Sequence, residues 1–234
     1  MFQTLFFKTL FSKNSLQSPF IQPNNPRLIY FNDTVVVAAI RGAPLLELAS
    51  VDPEKGVIFY SLEQERPPGI PVFARQDQLC LRCHDSINSL GVPGMLVRSV
   101  MPSPDGRINP QLGNFVVNHE SPFEERWGGF YVTGRHGGVR HLGNGVITDS
   151  EDEDSIGSNQ ELTLASIAGR VDVGAYLVPS SDIVALMVFE HQMHMINLLT
   201  RYGWEVRYAL RNSMSGSPGM SVVNLIDLED AVGE

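Results

Sequence analysis

DTVVVAAIRGAPLLELASVDPEKGVIFYSLEQ, residues 33–64, is the segment of the chain with the clearest β-strand pattern. It contains three runs of β-branched, aliphatic and aromatic residues, at 33–41, 44–50 and 56–64. Residues of these types favour strands, and the turn sequence VDPEKG at 51–56 is typical of a hairpin between the last two runs. We therefore predict an antiparallel sheet in this part of the chain.

The segments on either side of it extend this prediction to the α+β class. Residues 94–102 and 129–133 are strand-like, whereas residues 74–90 lack Gly and Pro and favour a short helix. Residues 180–210 form the clearest helical pattern, with Ser180, Ser181 or Asp182 as candidate N-caps. We expect an antiparallel sheet, mainly within residues 30–135, packed against the short helix and the long C-terminal helix.

The chain is predicted to hold one domain, at residues 30–234, behind an N-terminal extension at residues 1–29. The extension has apolar residues interrupted by Lys8 and Lys13 and no small-residue cleavage site, so it is a poor signal peptide. We expect it to be disordered or the remnant of a signal sequence. The last residues, 221–234, break off within an amphipathic pattern, from which we expect a truncated C terminus.

The charge of the chain narrows the range of partners. The formal net charge is −9 and no Lys/Arg cluster is present, which argues against nucleic acid and anionic membrane surfaces as partners. No run of about 18 apolar residues occurs, so we predict no transmembrane segment. The acidic run TDSEDEDS at 148–155 is typical of a solvated loop. The acidic net charge favours a redox partner protein with a cationic surface, or a small ligand, as the binding partner.

The pentapeptide CLRCH, residues 80–84, contains both cysteines of the chain. In a Cys-x-x-Cys-His motif the two thiols attach haem covalently, and the histidine that follows binds the iron. The motif therefore predicts one haem c, attached through Cys80 and Cys83, with His84 as an axial ligand.

Two other chemistries remain open for the same residues. A redox dithiol needs a buried strand before the helix, and the preceding FARQDQL is polar. A structural zinc ion needs four ligands, which Cys80 and Cys83 could form with His191 and His194. The gap of about 100 residues between the two pairs is longer than compact zinc modules use.

The second axial ligand of a haem at this motif is a separate question. His194 is our choice because a long helix holds a ligand rigidly; His136, Met101 or an open position are the alternatives. On that helix His194 belongs to a polar stripe whose members need partners, either in a ladder of Glu190–His194 and Asn197–Arg201 pairs or from a bound group.

The segment SPFEERWGGFYVTG, residues 121–134, is rich in aromatic residues. Trp127, Phe130 and Tyr131 could form the wall of a haem pocket, with Arg98 or Arg126 paired to a propionate. A core strand accounts for the same aromatic side chains.

Several of these stretches carry a family resemblance. FNDTVVVAAIRG, GVIFYSLEQ, CLRCHDS, GVPGMLVRSV, SPFEERWGGFYVTG, GNG and HQMHMINLLTR occur in this order over roughly residues 30–210. In them the chain resembles a family of uncharacterised bacterial proteins that contain a cytochrome c domain with a single CxxCH motif. The resemblance implies a covalent haem c on Cys80 and Cys83, His84 on the iron, and export to the periplasm. This chain departs from the family in lacking a clear signal peptide and in ending earlier.

From the motif we expect electron transfer by a single haem, with an unidentified redox partner and no enzymatic reaction. A haem enzyme or gas sensor with an open sixth position is the first alternative, and a structural zinc protein is the second.

Overall fold

The computed structural model describes residues 6–10, 17–65, 69–108, 113–147, 164–175 and 180–214. Within these ranges the chain forms nine β-strands and two α-helices. They are β1 (Phe6–Leu10), β2 (Arg27–Phe31), β3 (Val35–Ala39), β4 (Leu45–Asp52), β5 (Gly56–Glu63), β6 (Ala74–Arg75), α1 (Asp77–His84), β7 (Arg98–Val100), β8 (Asn114–Val116), β9 (Phe130–Tyr131) and α2 (Ile183–Met214).

Seven of these strands form one antiparallel sheet in the order β6-β5-β4-β3-β2-β1-β9, and β7 pairs with β8 in a separate ribbon. The longest ladder joins β4 to β5, from the pair Leu45 and Glu63 to the pair Asp52 and Gly56. The predicted α+β class is confirmed, with its antiparallel sheet, short helix and long C-terminal helix.

The structure contains four strands that the sequence prediction lacks, namely β1, β2, β6 and β8. The prediction contains no strand before residue 33. In the structure β1 and β2 both lie before that residue and pair with each other, and β1 also pairs with β9. Both strands carry a β-favouring composition, FFKTL and RLIYF. The first strand lies in a segment considered as the remnant of a signal sequence. The second directly follows residues rich in Pro and Asn, which are typical of a loop. For these reasons neither strand is predicted.

One face of the sheet is covered by both helices and forms the main core. On β5 the residues Val57 and Phe59 are buried, whereas Ile58 and Tyr60, which alternate with them, are half-exposed, as expected when alternate residues face the core. The core also takes Phe189 and Met193 from α2. Half-buried residues of α1, among them Cys80 and Leu81, pack against the same cluster. The CxxCH helix is therefore held directly on the sheet.

Helix α2 begins at the predicted position. Asp182 caps it, because its carboxylate oxygen accepts a hydrogen bond from the Val184 N–H at 2.8 Å. The first half is buried on one side, and farther along Trp204 donates to the Glu54 carbonyl in the turn between β4 and β5. Neither helix in the described ranges has the length and apolar character needed to cross a membrane. The acidic run at 148–155 and the tail at 221–234 lie outside these ranges.

Candidate functional site

Helix α1 carries all three residues that the motif predicts to be functional. It follows the short edge strand β6 and spans eight residues, DQLCLRCH. Cys80 and Cys83 are three residues apart and Cys80 and His84 are four apart, so the three side chains share one face of the helix. The sequence therefore places two thiols and one imidazole beside one another at the edge of the sheet.

The His84 ring has a defined position and a defined tautomer. Its Nδ1 lies 2.9 Å from the Gly94 carbonyl oxygen. Because a carbonyl oxygen can only accept a hydrogen bond, Nδ1 must carry the proton. The ring also rests against Phe59, with 4.6 Å between ring centroids. Nε2 has no hydrogen-bond partner among the residues that the structure describes, so its lone pair remains available for a metal ion.

The protonation of His84 suits metal binding as well. Burial lowers the pKa of its imidazole, and the hydrogen bond to Gly94 opposes this effect only in part. The neutral ring therefore dominates at neutral pH, and the neutral ring is the form that binds metal ions.

The loop after α1 is tied back onto His84 at several points. The Gly94 N–H donates to the His84 carbonyl at 2.8 Å. The Ser89 hydroxyl lies 3.2 Å from the same carbonyl oxygen and 3.0 Å from that of Ser86, and its one proton is shared between these two acceptors. Together with the Nδ1 contact, these bonds fix the backbone and the ring of His84 to residues 89–94.

The two thiols differ in their surroundings. Both cysteines are free, Cys83 exposed and Cys80 half-buried against the main core. Burial, followed by the nearby Glu47 carboxylate, raises the pKa of the Cys80 thiol. A thiol with a raised pKa has less thiolate at neutral pH, and the thiolate is the reactive form.

We expect iodoacetamide to alkylate Cys83 faster than Cys80 in the reduced, haem-free protein. The difference should be roughly tenfold at neutral pH and should narrow as the pH rises through the range in which the Cys80 thiol ionises. Mass spectrometry of the cysteine peptides over time measures both rates. Equal rates at neutral pH would contradict the burial of Cys80.

Apolar side chains are unusually exposed around the motif. Ile70, Val72 and Phe73 before α1 are 89%, 76% and 55% exposed, and Ile87 after it is 88% exposed. A cavity of about 620 Å³ opens between the first two of these and β5, and its lining stops at Gln76, short of the motif side chains. Uncovered apolar residues shortly before and after the two thiols in the sequence would suit a large apolar group bound in this part of the protein.

The candidates for a second axial ligand lie in different surroundings. The His194 ring is 5.3 Å from the ring of His119, which also contacts His191 at 4.6 Å. His136 contacts His141 at 5.3 Å, and Met101 is only 1% exposed. No hydrogen bond or ring contact joins His194 to His84 in the described part of the chain.

The zinc alternative is not assembled in this structure. Among the described residues, no group of three or more His, Cys, Asp or Glu side chains is arranged to hold a metal ion. Cys80 packs toward the sheet, whereas His191 and His194 both face His119.

The aromatic residues at 121–134 are core residues here. Trp127 and Phe130 pack with Leu186 of α2, and Tyr131 belongs to a cluster on the other side with Leu28. The two arginines also have partners within the protein, since Arg98 donates to Asn114 and Arg126 pairs with Glu190.

Sequence reasoning missed the pair of Arg126 and Glu190. Their side chains are 6% and 1% exposed, and Arg126 Nη1 lies 3.3 Å from Glu190 Oε2. The two residues are 64 positions apart, so no local pattern joins them. The signal was the glutamate itself, because a carboxylate on the buried side of a helix needs a cation.

No protein-family model, curated protein or solved structure matches the chain.

Proposed function

We propose that the protein binds one haem c covalently and transfers electrons. In this proposal Cys80 and Cys83 hold the haem and His84 binds its iron. The observation that carries the proposal is the hydrogen bond from His84 Nδ1 to the Gly94 carbonyl. Histidines that bind metals commonly donate their other ring N–H to a carbonyl, which fixes the tautomer and makes the ligand a better electron donor.

The residues present fit this group in three respects. The thiols of Cys80 and Cys83 are free and lie on one face of α1 with His84, so each could add across one vinyl group and form one thioether bond. His84 is held in its neutral form with Nε2 available. Exposed Ile70, Val72 and Phe73 offer apolar surface in the segment that precedes α1.

The chemistry that haem would supply is reversible one-electron transfer between ferrous and ferric iron. What this chain supplies is the ligand and its electrostatics. A carbonyl acceptor on Nδ1 increases electron donation by Nε2 and favours the ferric state. The net charge of −9 acts in the same direction and favours a redox partner with a cationic docking surface. Covalent attachment further implies export to the periplasm.

The test of this proposal is the haem content of the purified, exported protein. A pyridine haemochrome assay should give one haem per chain, and that haem should stay with the protein during extraction with acidified acetone. Protein retained in the cytoplasm of the same cells is the control. A folded, exported protein without covalent haem would refute both electron transfer and the alternative of a haem enzyme or gas sensor.

His194 remains our proposed second ligand, supported by its place on the rigid helix α2. In the haem-bearing protein, His194→Ala should convert a low-spin spectrum into a high-spin one whose ferrous form binds CO. His191→Ala is the matched control, because His191 lies on the same helix and contacts the same His119 ring. An unchanged low-spin spectrum in His194→Ala would eliminate His194. A high-spin, CO-binding wild type would favour the enzyme or sensor alternative.

A further inference from the structure

Asn197 of α2 is a buried residue that binds the backbone beside the motif. It is 2% exposed. Its Oδ1 accepts a hydrogen bond from the Met95 N–H at 2.9 Å, and its Nδ2 donates to the Met95 carbonyl at 2.8 Å. The two residues are 102 positions apart. The amide of Asn197 thus pairs with both polar groups of Met95, as a neighbouring strand would.

The peptide group that Asn197 binds is the one that His84 uses. The Gly94 carbonyl and the Met95 N–H belong to the same peptide unit. His84 Nδ1–H donates to that carbonyl at 2.9 Å, and the N–H on the other side donates to Asn197. A continuous hydrogen-bond chain therefore runs from the imidazole, through one peptide group, to the Asn197 side chain.

Close packing around Gly94 fixes the position of these hydrogen-bonded groups. A Cβ atom added at Gly94 would lie 2.2 Å from Asn197 Oδ1 and 3.2 Å from the Ser89 Cβ. Only glycine lets the amide of Asn197 approach the peptide this closely. The position of the His84 acceptor is therefore set by α2 on one side and by the loop after α1 on the other.

We propose that Asn197 is a positioning residue for His84 that acts through the Gly94–Met95 peptide. Hydrogen bonds in series polarise one another, so the bond to Asn197 strengthens the carbonyl as an acceptor for Nδ1–H. The effect on His84 itself does not depend on haem. Its consequence for a bound iron rests on the proposed function: with Asn197 present, the reduction potential is lower.

The test compares Asn197→Leu with the wild-type protein in two states. In the haem-free protein, nitrogen NMR reports the tautomer of His84 and the exchange of its Nδ1 proton with water. Asn197→Leu should speed this exchange roughly tenfold, the factor expected when a neutral hydrogen bond is lost or weakened, and should mix the tautomers. In the haem-bearing protein, the variant should have a more positive reduction potential.

Thr200→Val is the matched control, since Thr200 is buried on the same helix and its methyl group lies 3.0 Å from the position of a Cβ at Gly56. It should leave both readouts unchanged.

Asn197→Ser, which is too short to bind both groups of Met95, replaces Asn197→Leu if the latter does not fold. A folded variant whose His84 tautomer and exchange match the wild type overturns the inference. Absence of haem from the wild-type protein refutes the proposed function but not the role of Asn197. The NMR comparison in the haem-free protein then decides that role by itself.

Discussion

Arg126→Met is expected to lower the free energy of unfolding by about 3–5 kcal/mol, because it leaves the Glu190 carboxylate buried without its cation. The pair is almost fully enclosed, with 6% and 1% of the two side chains exposed. Arg126 also donates to the Ser121 carbonyl at 2.7 Å and to the His119 carbonyl at 2.8 Å. Methionine can replace none of these bonds, so two backbone acceptors lose their donor as well.

A double-mutant cycle separates the cost of the lone charge from the value of the pair. Arg126→Met combined with Glu190→Leu should recover much of the lost stability, because apolar replacement of a buried pair is often neutral or stabilising. Urea unfolding of the haem-free variants gives each free energy, with the denaturant slope as a check on two-state behaviour.

The control for this cycle is Arg107→Met. Its side chain is 79% exposed and pairs with Asp105 at the surface, so we expect a change within about 0.5 kcal/mol. If Arg126→Met were as mild as Arg107→Met, Glu190 would not be a buried charge that depends on Arg126, contrary to the buried ion pair described.

The fold could be predicted where the sequence pattern is long and regular. β3 and β5 fall within their predicted runs, β4 extends two residues beyond the run predicted at 44–50, and α2 begins within three residues of its predicted start. The strand predicted at 129–133 is only Phe130–Tyr131 in the structure. Gly129, the first residue of the predicted strand, has φ of 82°, and this left-handed backbone delays the start of the extended run to Phe130.

The candidate site could be predicted only in its local part. CLRCH occupies five consecutive residues, so the sequence alone identifies it. The hydrogen-bond acceptor for His84 is the Gly94 carbonyl, and Asn197 binds the residue after Gly94. No pattern in the sequence joins positions so far apart.

The polar stripe on α2 did signal that its residues needed partners. The predicted pair of Asn197 and Arg201 is wrong, because Asn197 binds Met95 and Arg201 pairs with Glu205 at 2.8 Å. Glu190 takes Arg126 as its partner. On a buried helix, polar side chains form hydrogen bonds or ion pairs with groups from distant parts of the chain. The spacing of residues within the helix does not identify those partners.

Removing both thiols should abolish covalent haem. In the exported protein, Cys80→Ser combined with Cys83→Ser is expected to reduce the haem that resists extraction from one per chain to none, because no other cysteine exists to form a thioether bond. Each single variant should keep one thioether bond, and its pyridine haemochrome band should move to longer wavelength than that of the wild type.

The two single variants should nevertheless differ in stability. Cys80 packs against the main core, so Cys80→Ser places a hydroxyl among apolar groups and should cost roughly 1 kcal/mol in the haem-free protein. Cys83 is exposed, so Cys83→Ser should be nearly neutral. Val184→Ala, an exposed change at the start of α2, is the control and should keep the wild-type haem content and spectrum. Haem that stays covalently bound after both thiols are gone would mean that another residue attaches it, and the assignment of Cys80 and Cys83 would have to be abandoned.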